Sequence, residues 1–123
     1  MKTVNDIKKV LQVKEGKEIT LAQLQEAKDI YVEIAQEAFK NKKYTKSNIA
    51  LVVLDNAFMR LLETKEVKDL RRTIFINDKG SGYNAVLSKE VKEGKHDNVL
   101  SVKFKSEAQV EKLIDDHNFY LVA

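Results

Sequence analysis

Apolar residues recur every three to four positions through the first half of the chain and every second position through much of the remainder. That change of period predicts helices followed by strands. Thr3-Val-Asn-Asp6 has the spacing of a capping box, and Val4, Ile7, Val10 and Leu11 follow at helical intervals, so a short helix is expected over residues 4–12. Lys14-Glu-Gly16-Lys breaks it. Thr20-Leu-Ala-Gln23 opens a longer helix, with Leu24, Ala27, Tyr31, Ile34 and Ala38 on one face through about Phe39. Glu26, Asp29, Glu33 and Glu37 line another face, an acidic stripe that would repel DNA, so this helix is read as a scaffold or a solvent-facing element.

Asn41-Lys-Lys-Tyr44 is a polar break, with Thr45 or Ser47 as the expected cap of the next helix. The run IALVVLDNAFMRLLE, residues 49–63, continues at three-to-four spacing through Ala57, Phe58, Leu61 and Leu62, which predicts a helix buried on more than one side. No glycine or proline falls between positions 17 and 79, so two long helices joined near 41–46 fit, as would three with the join inside the first.

Beyond residue 72 the period is two. Ile74 and Ile76 alternate with Thr73, Phe75 and Asn77; past Asp78–Gly82, Ala85 and Leu87 alternate with Val86 and Ser88. Two such runs around Asp-Lys-Gly-Ser-Gly predict a hairpin. Leu100, Val102 and Phe104 predict a third strand. Ser106-Glu-Ala-Gln109 caps a helix through Val110, Leu113 and Ile114 to about His117, and Phe119 to Val122 reads as a closing strand. The expectation is a single α+β domain over residues 1–123: N-terminal helices to about residue 70, forming a helix-turn-helix, then an antiparallel hairpin and sheet with one helix and a final strand.

Composition narrows the function classes. There is no cysteine, which removes disulfides and thiolate metal sites and fits a reducing cytoplasm. No signal-peptide core or membrane-length apolar window is present, so no membrane partner is expected. The net charge of +3 is unevenly spread: residues 1–39 and 80–123 each carry −1, whereas 40–79 carry +5. A localised basic excess suits a polyanion-binding face.

Enzyme signatures are weak. Gly80-Ser-Gly82 lacks the lysine of a phosphate loop and the third glycine of a dinucleotide fingerprint, and strands flank it where both motifs require a helix. Asp115-Asp116-His117 brings one imidazole, and neighbouring helical residues diverge by about 100°, so a polar helix end is the simpler reading than a metal site. Neither an enzyme nor a cofactor is expected.

The segment LLETKEVKDLRRTIFINDKGSGYNAVLSKEV, residues 61–91, resembles the end of a winged helix-turn-helix domain. Leu62-Glu63-Thr-Lys65 stands where the recognition helix of that family runs out, Val67 to Arg72 where its short basic step lies, Asp78 to Gly82 at the hairpin tip, and Tyr83 to Ser88 in the returning strand. The likeness implies double-stranded DNA as partner. Lys46, Ser47 and Asn48 in the first turn of the helix would enter the major groove, with Arg60 further along it. Lys40, Lys42 and Lys43 would meet backbone phosphate, and Arg71, Arg72 and Lys79 would set the hairpin along an adjacent groove. Tyr44 and Tyr83 fit either a sugar-phosphate contact or ring packing. In size and character the chain is also similar to small cytoplasmic DNA-binding accessory proteins of Gram-positive conjugative plasmids and to excisionase-like regulators, which implies a role in conjugation, excision or transcription regulation within a nucleoprotein complex. The rival class is a small protein-binding inhibitor or adaptor of a phage or plasmid, working through the acidic stripe or an open sheet edge.

Overall fold

Caps and periodicity translate directly into helices in the computed structural model, which describes residues 2–77 and 82–122. The chain is α+β: α1 (Val4–Val10), α2 (Leu21–Asn41), α3 (Thr45–Leu61), β1 (Arg71–Ile76), β2 (Tyr83–Lys92), β3 (Lys95–Phe104), α4 (Glu107–His117) and β4 (Tyr120–Val122). It divides into two compact units, Met1–Glu66 and Val67–Ala123.

The first unit is three helices. Thr3 N–H donates to Asp6 Oδ2 at 2.7 Å, and this bond holds the Asp6 carboxyl below the usual carboxylate range. Thr20 N–H donates to Gln23 Oε1 at 3.0 Å, while Gln23 N–H returns a bond to Thr20 Oγ1. The Gln23 amide also donates to the carbonyls of Val10 and Gln12, tying the end of α1 to the start of α2. Glu66 accepts from Leu21 N–H at 2.7 Å, a carboxylate placed on the positive end of α2. α1 packs on α2 and α3, which pack on each other. Ile7, Leu24, Leu54, Phe58 and Leu61 are fully buried there, each stabilising the fold by roughly 1.5–3 kcal/mol.

The second unit is a four-stranded mixed sheet in the order β3-β2-β1-β4. β1 pairs antiparallel with β2, and β2 with β3, whereas β4 lies parallel to β1. Register aligns Ile74 with Ala85 and Ala85 with Val102, and aligns Leu87 with Leu100, so one sheet face is continuous apolar core. Because β3 and β4 occupy opposite edges, α4 carries the chain across the sheet, burying Val110 and Leu113. Gly82 has φ +127, and a Cβ there would stand 2.8 Å from the Phe104 carbonyl oxygen. Its own carbonyl accepts from Asn77 N–H at 2.9 Å, so this glycine serves a close approach of two backbones.

Several expectations are corrected. Neither Thr45 nor Ser47 caps α3: Tyr44 is the N-cap, with no side-chain cap bond, and Thr45 is already helical. The turn is too tight for a longer entry, because Lys42 adopts the left-handed conformation (φ 55) and Lys43 N–H closes on the Ala38 carbonyl. The helix of the 49–63 run is buried over a broad arc on one side, yet Ile49 and Val52 face outward, 49 % and 56 % exposed. The third strand starts at Lys95, and it meets a ten-residue β2 around Glu93-Gly94, with Gly94 at φ +77.

Candidate nucleic-acid interface

Two basic clusters emerge from the sequence, and each is best described within its own unit. In the first, α2 ends and α3 begins within three residues, 42–44. Lys40, Lys42, Lys43 and Lys46 are all exposed around this turn. No acidic residue lies between Ala38 and Leu54, so the turn and the first three helical turns of α3 carry four positive charges uncompensated along the sequence. The N-terminal end of α3 adds a partial positive charge of its own, with no acid in its first turn and no side-chain cap. An open groove beside the turn is lined by Lys2, Lys42, Lys43 and Lys46 together with Asp6, Glu33 and Glu37. Glu37 is engaged with Asn41, whose amide donates to it at 2.9 Å. The acidic members belong to α1 and α2, and the tip of the turn is left wholly basic.

The three residues expected to read bases do not act as a set. Successive residues on a helix diverge by about 100°. Ser47 points inward, 8 % exposed, and its hydroxyl bonds to Tyr31. Burial pushes the Tyr31 phenol up, the Ser47 bond opposes this, and nearby Asp55 adds to it. Ser47 is therefore withdrawn from any groove contact. Lys46 and Asn48, both exposed, leave the helix on opposite flanks. Arg60 is exposed in the last turn of α3, about 21 Å along the axis from Lys46, so it does not join the cluster at the turn.

The two described members of the second cluster part from one another. Arg71 and Arg72 are neighbours in β1, and neighbouring strand residues face opposite sides of a sheet. Arg71 is exposed, with Nη1 3.4 Å from His96 Nδ1. Arg72 is partly buried: Nη1 donates to the His117 carbonyl at 2.9 Å, and its guanidinium stands over the Phe119 ring at 6.0 Å. Burial lowers its pKa. Arg72 thus satisfies a carbonyl at the C-terminal end of α4, where a cation is favoured, and it is a structural tie instead of a phosphate contact. Lys79, expected at the hairpin tip, lies outside the described residues.

Among the described residues no group of three or more His, Cys, Asp or Glu is placed to hold a metal ion. His117 is buried at the end of α4, whereas Asp115 and Asp116 are exposed. No described helix is long and apolar enough to cross a membrane.

Sequence reasoning passed over the outward face of α3. Six apolar residues in succession cannot all lie on one side of a helix, so Ile49 and Val52 had to oppose Leu51 and Leu54. That arithmetic was the available signal. Compared with protein-family models, curated proteins and solved structures, the chain matches none.

Proposed function

We propose that this chain is a non-enzymatic double-stranded DNA-binding accessory or regulatory protein that contacts the phosphate backbone through the α2–α3 turn. One observation carries the reading: Lys40, Lys42, Lys43 and Lys46 are exposed together around the uncapped N-terminal end of a 17-residue helix, with no acid from Ala38 to Leu54. Backbone contacts of this kind bind with little sequence preference and release counterions. Asn48 is the exposed side chain of the first turn that is suited to a base edge. The β1 arginines contribute at most Arg71. A role in conjugative transfer, excision or transcription control is the biological setting that the winged-helix likeness supports.

Anisotropy titration of a labelled duplex tests this. Four phosphate contacts give a slope of log affinity on log salt near −3.6, so affinity falls roughly a hundredfold between about 50 and 200 mM salt. Absence of duplex binding at the lower salt overturns the reading.

A second reading, a protein-binding module, is favoured by one specific observation, the exposed Ile49 and Val52 on the outer face of α3. A groove-reading helix is polar on its outer face, and an interface core is apolar. A chain that binds no duplex at low salt leaves this apolar face as its functional surface.

A further inference from the structure

The α2–α3 turn carries aromatic surface as well as charge. Phe39, in the last turn of α2, is 75 % exposed, the highest value among the described large apolar side chains. Lys40 follows it directly. Tyr44, the residue before α3, is 47 % exposed and lines the groove beside the turn with Lys42, Lys43 and Lys46. Neither ring is needed by the core of the first unit, which Leu24, Ile34, Leu54 and Phe58 fill. The left-handed Lys42 and the bond from Lys43 N–H to the Ala38 carbonyl fix the connection, so both rings leave a preorganised backbone.

We propose that this turn binds unpaired nucleobases: a single strand lays its phosphates on Lys40, Lys42, Lys43 and Lys46 while its bases stack on Phe39 and Tyr44. The inference rests on the polyanion contact proposed for the same turn and names the form of nucleic acid that fits it best. Stacking needs an open π-face. A duplex buries its base faces against one another, whereas every unpaired base offers one. Two other occupants fit less well. Protein interface cores are depleted in lysine, and this surface would set four lysines against a partner. An anionic membrane suits a phenyl ring among lysines, but a plane broad enough to cover the turn also meets Glu33 and Glu37, which line the same groove. A strand is narrow enough to follow the lysines past those carboxylates.

Anisotropy titration of the full chain with labelled oligothymidylate, and with a duplex of equal length at the same salt, tests the proposal. The single strand should bind tighter than the duplex by about fivefold or more. Phe39→Ala should weaken the single strand by about fivefold or more and the duplex by less than about twofold, with an unchanged circular-dichroism spectrum. Its salt slope should not change, because no cation is lost. Phe39→Leu, apolar but without a π-face, should bind like the alanine variant, and Phe39→Trp should bind like the wild type. The chain holds no tryptophan, so the fluorescence of Phe39→Trp reports this position alone, and oligothymidylate should quench it. Oligouridylate titrated alongside distinguishes RNA from DNA as the source, and either strand binding through Phe39 supports the proposal. Duplex binding with no preference for the single strand overturns this inference and leaves the duplex reading standing; binding to neither overturns both. Full single-strand affinity in Phe39→Leu overturns it as well. Vesicles of phosphatidylserine and phosphatidylcholine that bind the wild type and release Phe39→Ala, with no oligonucleotide bound, assign the rings to a membrane surface and overturn it too.

Discussion

The α2–α3 turn and the base of the β1–β2 hairpin are both basic in sequence, and the fold treats them in opposite ways. Around the turn, four lysines spread outward from a tight connection whose ends are tied by backbone bonds, so the cations have no structural task there. At the hairpin base, strand alternation separates Arg71 from Arg72 and commits Arg72 to the carbonyl of His117. A count of charges weights the two regions alike. What distinguishes them is whether the backbone leaves unsatisfied groups nearby that a cation can satisfy, as the C-terminal end of α4 does and the N-terminal end of α3 does not.

Substitutions that separate stability from binding sharpen this contrast. The largest effect is expected at Gly82, which supports the hairpin: Gly82→Ala adds a Cβ 2.8 Å from the Phe104 oxygen at a φ of +127, and should cost about 3 kcal/mol in urea denaturation. Arg72→Ala follows, at about 2 kcal/mol, because a charge-assisted bond and the packing over Phe119 are lost together. Arg71→Ala in the same strand should stay within about 0.5 kcal/mol. Equal losses at the two arginines would dissolve the distinction drawn between them.

Lys42→Gly reverses the pattern seen at Arg72. Glycine relieves the left-handed conformation at position 42, so stability should rise by about 0.5 kcal/mol. The same change removes one cation, and the salt slope of duplex binding should shallow by about one. The smallest effect concerns Asp6. Its folded-state pKa is depressed, so its contribution is present above the ordinary carboxylate pKa of 3.8 and is lost as pH falls through the lower folded value. Below that pH the start of α1 should fray, read as faster amide exchange near residues 3–6, while the α2–α3 turn is unaffected.

Much of the fold was legible because single elements carry their own signals. The capping boxes at Thr3 and Thr20 and the period of two through Ile74 and Ile76 each specify an element without reference to the rest of the chain. The longer hairpin arms from Lys89 to Val99 were hidden, since charged residues such as Lys89 and Lys92 carry no apolar alternation and join the ladder through their neighbours. The parallel pairing of β4 with β1 depends on residues about fifty positions apart, which no local pattern records. The same holds for Arg72. Its separation from Arg71 follows from strand geometry alone, but its partner lies 45 residues away. Ser47 was misread because a small hydroxyl near a helix start suits a cap equally well as a buried bond to Tyr31.

Under the proposed function the α2–α3 turn, and not the hairpin base, carries the polyanion contact. The most direct test is the salt dependence of duplex affinity for the wild type, for Lys42→Gln with Lys43→Gln, and for Arg71→Ala. The double lysine variant should shallow the slope by about two and Arg71→Ala by one at most. A slope unchanged in the lysine variant, or duplex binding that vanishes with Arg71 alone, would contradict it.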